Sequence, residues 1–241
     1  MPALARPSAD FLDAIHADVW HAHTLSTAQL PVLATGDSAL DAQLPGGGWP
    51  VGALTEILQP LGVHSEWRLL LPALARSGLG PVLLVGAPHL PFAPALAAQG
   101  LAVQRMLWVT AQSVASRLWA CEQALRCAEV NAVLAWLPQA RSEQLRRLQM
   151  AAAEYSKLLF VMRPEEAQDG ASPAALRLHV QPQTATSNAV SGEQGLDGLH
   201  IHLLKRRGPP LEQSVQMQAR APHLNLLLAA QHALDRSTSR A

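Results

Sequence analysis

Lysine is almost missing from this chain: Lys157 and Lys205 are the only two. Neither can serve a phosphate-binding P-loop, which needs G-x-x-x-x-G-K-[ST] so that backbone N–H groups cradle the phosphates, the lysine offsets β/γ charge and the hydroxyl ligates Mg²⁺. Lys157 stands between Ser156 and Leu158, and Lys205 between Leu204 and Arg206, so a conventional P-loop is excluded. Cysteine is scarce too. Cys121 and Cys127 lie six apart in a helical stretch, point to different faces, match no C-x-x-C metal or redox pattern, and read as buried thiols of a reducing cytoplasm. There is no excess of charge, because 18 basic and 18 acidic side chains cancel, which leaves no global field to hold nucleic acid or an anionic membrane. Uninterrupted apolar runs are also lacking. The first ten residues carry Pro2, Arg6, Pro7 and Asp10 without an apolar core, and residues 81–98 are broken by His89 and several prolines. Neither an export signal nor a membrane span is expected, and the predicted location is cytoplasmic.

What is present is apolar substance in short pieces. Hydrophobic residues make up 49% of 241, enough to bury the core of one α/β domain with short terminal extensions. Residues 8–23 place Phe11, Leu12, Ile15, Val19 and Trp20 on one helical face behind Ser8, an amphipathic arm, and residues 24–33 read as an extended linker. After Gly46, Gly47 and Gly48, apolar runs recur at 53–58, 81–85, 106–110, 132–137 and 158–162. Leu- and Ala-rich helical spacers at 65–76, 92–99, 112–128 and 142–156 separate them, the alternation expected of βαβ crossovers and a buried parallel sheet. Beyond Arg163 the period becomes two. Leu176, Leu178 and Val180, then Leu199, Ile201 and Leu203, then Val215 and Met217 alternate with polar residues, predicting half-exposed antiparallel strands at one sheet edge. Residues 184–198 read as a mobile loop, and residues 223–236 as a short helix with Leu224, Leu227, Leu228 and Leu234 as its apolar positions. The expected division is an arm and linker at 1–33, a core domain at 34–220 and a C-terminal helix and tail at 221–241.

Two family resemblances follow from particular residues. Thr35-Gly36-Asp37-Ser38-Ala39-Leu40-Asp41, followed by Gly46-Gly47-Gly48-Trp49-Pro50-Val51-Gly52 and the strand 53–57, resembles the opening of the RecA core, where T-G-x-x-x-L-D precedes a glycine-rich turn and the first strand. From the arm to Lys205-Arg206-Arg207-Gly208-Pro209 the chain resembles the ImuA family, RecA-like accessory proteins of damage-induced translesion DNA synthesis. That resemblance implies a mostly parallel sheet flanked by helices with antiparallel strands at one edge. It also implies ImuB, RecA or an error-prone DNA polymerase as partners. Ser65-Glu66-Trp67-Arg68-Leu69-Leu70-Leu71-Pro72, Ala135-Trp136-Leu137 and Phe160-Val161-Met162-Arg163-Pro164 are similar to the cell-division inhibitor SulA, which implies FtsZ as the alternative partner.

Carried over residue by residue, the RecA active site is degenerate. Residues 59–66 occupy the P-loop region, with Gly62 and His64 inside it, Ser65 where the lysine is needed and Glu66 where Ser or Thr is needed. A carboxylate there repels phosphate. The acidic position after the second strand corresponds to Pro88 and the Walker B aspartate to Trp136, so no catalytic residue, cofactor or metal is expected and the chain reads as a non-catalytic adaptor. Partner-binding candidates are Phe11 and Trp20 in the arm, Trp67, the basic cluster Lys205, Arg206 and Arg207, and Leu227 and Leu228. The three arm histidines (His16, His21 and His23) span more than one helix face and read as solvent-facing, as do His200 and His202 on a strand. Glu165 and Glu166 read as a solvated pair. Zero net charge disfavours a DNA-binding module, and no sequence-specific DNA contact is expected.

Overall fold

The computed structural model describes residues 30–183, 198–208 and 214–218. The arm with Phe11, Trp20 and its histidines, the segment 184–197, and the C-terminal segment with Leu227 and Leu228 lie outside the described residues.

The described residues open with a small ribbon: β1 (Val32–Leu33) pairs antiparallel with β2 (Trp49–Pro50). Val32 and Leu33, assigned to the linker by their sequence, form the first of these strands. Between the two lies α1 (Ser38–Asp41), a single turn. Gly48 is obligatory in the ribbon, because a Cβ there would stand 2.4 Å from the Leu33 carbonyl oxygen. The main sheet is built from β3 (Ala53–Gln59), β4 (Val82–Val85), β5 (Met106–Val109), β6 (Ala132–Trp136), β7 (Leu158–Pro164), β8 (Leu176–Pro182), β9 (Gly198–Lys205) and β10 (Val215–Gln218). Its eight strands run in the order β10-β9-β8-β3-β7-β6-β4-β5. Six are parallel, and β9 and β10 add antiparallel pairs at one edge. The α/β class with an antiparallel edge is the one expected. One strand differs: β8, expected to be antiparallel with its neighbours, lies parallel to β3, because the chain crosses over from β7 before it turns back into β9.

Among the described residues four helices cover the sheet: α2 (Glu66–Arg76), α3 (Ala93–Ala98), α4 (Val114–Arg126) and α5 (Ser142–Glu154). Strand periodicity divides the core between two faces. Ile57, Leu84, Leu134 and Phe160 pack with Leu69, Leu70 and Leu74 of α2 and with Leu96 of α3. Their alternate neighbours Leu83, Val133, Leu159 and Val161 pack with Cys121 and Leu125 of α4 and with Leu145 and Leu148 of α5. The central strands are therefore apolar on both sides, which is why they read as continuous runs. The chain leaves β3 over one face, steps outward through β4 to β5, and returns over the other face through β6 and β7. The two thiols split: Cys121 is buried in α4, whereas Cys127, also expected to be buried, is exposed just beyond the helix C-terminus.

The lead-in motif has a structural role of its own. Asp37 caps α1, its Oδ1 accepting the Leu40 N–H at 2.9 Å, and the Thr35 N–H donates to Asp41 Oδ1 at 2.8 Å. The clasp drives Leu40, fully buried, into the core. Gly36 is left-handed (φ 99°), and a Cβ there would meet Pro72 Cβ at 2.6 Å, so it lets the clasp lie directly on α2. At the far end of α2, Arg105 is buried and, among the described residues, pairs with no carboxylate. Its guanidinium donates to the carbonyls of Leu74 and Gly80 and to Ser77 Oγ, so a cation closes the helix C-terminus, while burial pushes its pKa down.

Candidate functional site

Where consecutive crossovers leave for opposite faces, the carboxyl ends of the parallel strands splay into a crevice, the usual ligand position in open α/β sheets. In this chain it is a cavity of about 460 Å³ lined by the turn after β3, residues 86–88 after β4, Trp136 at the end of β6 with Pro138 beyond it, the end of β7, and Arg117 of α4. The degenerate P-loop positions Gly62 and His64, the lost acidic position Pro88 and the Walker B position Trp136 thus meet in one place.

The turn after β3 is no phosphate cradle. The Val63 N–H bonds to the Pro60 carbonyl at 3.0 Å, with Gly62 at φ 77° in the third position of the turn, where left-handed backbone is required. Gln59 then bridges the loop, its Oε1 accepting the Ser65 N–H at 3.1 Å and its Nε2 donating to Glu66 Oε2 at 3.5 Å. Ser65 is buried. Glu66, the first residue of α2, is only 2% exposed, so the helix N-terminus where an anion would settle already faces the chain's own carboxylate. Burial raises the Glu66 pKa. Backbone hydrogen bonding, His64, Gln59 and His89 all pull the other way without reversing the shift. His64 Nδ1 lies 4.0 Å from Glu66 Oε1, and its ring meets that of His89 edge-on at 5.0 Å, so the loops after β3 and β4 touch.

Prolines crowd this end of the sheet. Pro60, Pro88, Pro138 and Pro164 follow or end four neighbouring strands and all line the cavity. None has an N–H to offer. Leu61 is 87% exposed at the tip of the first loop, and Leu90 and Phe92 are exposed in the second. The Trp136 indole N–H is buried without a hydrogen-bond partner.

Beneath the crevice, Glu56 is wholly buried mid-strand in β3. Arg163 of β7 donates Nη1 to its Oε1 at 2.7 Å, and Arg177 of β8 donates Nε to its Oε2 at 2.6 Å. Further donors of the two arginines close on the carbonyls of Ala140, Ala167 and Gln168, completing an ionic triad in which Arg163 Nε alone is buried without a partner.

The remaining sequence candidates lie elsewhere. Trp67 is half-buried and packs against the core. Lys205 Nζ donates to the Ser172 carbonyl at 2.9 Å, Arg206 Nη1 donates to the Gln43 carbonyl, and Arg207 is exposed at the end of β9. Arg206 thereby ties the end of β9 to the lead-in clasp. Glu165 is not simply solvated: its Oε2 lies 3.0 Å from His179 Nε2. His200 is half-buried and His202 exposed, their rings 5.9 Å apart. Two exposed tryptophans were not singled out by sequence: Trp119, 65% exposed on α4, and Trp108 on β5. Arg117 was missed as well; the only signal for it is an arginine in the opening turn of a helix that follows a parallel strand.

No known family profile matches the chain. It is 28% identical over 113 residues to the cell division inhibitor SulA of Edwardsiella piscicida. To the cell division inhibitor SulA of Photorhabdus laumondii subsp. laumondii it is 33% identical over 112 residues. These matches cover 47% and 46% of this chain, and 59% and 63% of the length of the two relatives. No helix among the described residues is long and apolar enough to cross a membrane.

Proposed function

We propose that the chain is a non-enzymatic inhibitor of cell division of the SulA type, acting by binding FtsZ through the carboxyl-end crevice. One observation carries this reading: two of the three SulA-like segments, far apart in sequence, meet at that crevice, and the third starts beside it. Trp136, Met162, Arg163 and Pro164 line it, and the Ser65 N–H donates to Gln59 of its lining. The two SulA relatives support inhibition of cell division, and FtsZ is the partner that the SulA resemblance implies. The lysine, hydroxyl and carboxylates of a nucleotide site are replaced by Ser65, Glu66, Pro88 and Trp136, and a buried carboxylate occupies the anion position.

A second reading keeps the scaffold and changes the partner: an ImuA-type, RecA-like adaptor of damage-induced translesion synthesis that binds ImuB, RecA or the error-prone polymerase. The ordered lead-in clasp favours it, since the Thr35–Asp41 pairing gives the RecA-like T-G-x-x-x-L-D segment a defined place against α2. The deciding experiment is GTP-driven assembly of purified FtsZ, followed by light scattering, with increasing amounts of the full chain. Inhibitor action predicts assembly falling with added protein. Undiminished assembly, together with recovery of ImuB or RecA by the tagged chain from DNA-damaged cells, overturns it in favour of the adaptor.

A further inference from the structure

We infer that the carboxyl-end crevice receives a single carboxylate, carried on an apolar segment of a partner protein, and that Arg117 is its anchor. This deepens the proposal above and rests on its premise that the chain works by binding a protein at this end of the sheet.

Charge is the first ground. Arginines 117 and 163 and the imidazole of His64 line the cavity, and no acidic side chain does. Arg163 is paired with Glu56, a carboxylate it shares with Arg177. Arg117 is not: its Nε donates to the Ala111 carbonyl at 2.8 Å and its Nη1 to the Trp136 carbonyl at 3.4 Å. Among the described residues no carboxylate pairs with it, and its Nη2 makes no hydrogen bond. A half-buried guanidinium held by two main-chain carbonyls has no counter-ion among the described residues and a free donor, and a ligand carboxylate completes it with a charge-assisted bond.

The position is also built. Gly86, left-handed at the end of β4, has Arg117 laid across it, and a Cβ there would stand 2.8 Å from Nε and 2.9 Å from Cδ. Any larger residue at 86 displaces the arginine. From α4 the side chain therefore crosses the end of β4 and reaches the last carbonyl of β6, spanning the point where the crossovers diverge.

The rest of the site selects against phosphates. A di- or triphosphate needs several converging N–H donors, and here prolines stand after four strands while the α2 N-terminus is taken by Glu66. One anionic group with an apolar body fits better. Leu61 lines the opening, and Leu90 and Phe92 are exposed on the loop after β4, which touches the first loop through His89 and His64. The complementary partner segment is an acidic residue flanked by large apolar ones.

The test uses the full chain and two probes, acetyl-Leu-Asp-Phe-amide and its Asn counterpart, titrated while the arginine Nε–H and tryptophan indole resonances are followed by NMR. The Asp peptide is expected to shift the Arg117 signal and to bind about tenfold more tightly than the Asn peptide. In Arg117→Gln that preference is expected to vanish, whereas Arg117→Lys keeps part of it. Equal binding of the two peptides by the unaltered chain overturns the inference without reference to any variant. So does a stronger response of the same resonances to inorganic phosphate or ADP. Failure of the unaltered chain to inhibit FtsZ assembly, with the Asp preference intact, removes FtsZ as partner and leaves the carboxylate site standing.

Discussion

Glu66 shows what one side chain costs when it is moved from water into the first turn of a buried helix. Its pKa is raised above the ordinary 4.5 mainly by burial. The folded state therefore holds the proton more tightly than the unfolded state. The stability this contributes is complete below about pH 4.5 and is lost as pH climbs through the folded value. Glu66→Gln, which cannot ionise, is expected to raise the melting temperature at pH 7 and to differ little from the unaltered protein at pH 4. Melting curves at the two pH values measure this, and an equal difference at both would show that the carboxylate is not strained by ionisation. The same residue explains how far the site was legible. Position 66 could be flagged because a carboxylate stood where a motif demands a hydroxyl. Arg117 could not, because its partners are main-chain carbonyls and a glycine from three other segments, and no local pattern records them.

Among elements, the lead-in clasp is the most sharply specified. Asp37 supplies a side-chain acceptor to α1, a helix too short to persist without it. Asp37→Ala is expected to cost about 1 kcal/mol in urea unfolding, and Asp37→Asn to cost less, because the amide oxygen still accepts. An alanine variant with an unchanged midpoint would assign the holding of Leu40 to packing alone. The sheet and its helices were readable because buried parallel strands leave uninterrupted apolar runs and surface helices leave spaced ones. Strand direction was not readable in β8. Period-two alternation reports which residues face the core, and it is the same whether the neighbour runs parallel or antiparallel. The β1–β2 ribbon, two residues on each side, is too short for any period to show.

Over the whole molecule, the ionic triad joins β3, β7 and β8 through the middle of the sheet. Removing one member of such a group leaves buried charge uncompensated, so Glu56→Ala is expected to destabilise the fold by about 3–5 kcal/mol. That is a large part of the roughly 5–15 kcal/mol that holds a typical domain together. Urea denaturation with an unchanged slope and a much lower midpoint would be the signature. A small loss would mean that the two arginines find other partners. The two-faced sheet also accounts for the chain's indifference to net charge: its charged groups serve internal closures such as Arg105 on α2 and Glu56 between two strands, and global charge does not report them.

The triad bears on how the protein is made. Glu56 is translated early, yet its counter-ions follow 107 and 121 residues later. At about 5–20 residues per second, roughly 6–24 s separate the synthesis of the carboxylate from that of Arg177. During that interval the nascent chain holds a strand it cannot bury without stranding a charge. The middle of the sheet, among the first parts to leave the ribosome, is thus among the last to close, and until Arg177 emerges β3 is a client for whatever guards unfinished chains.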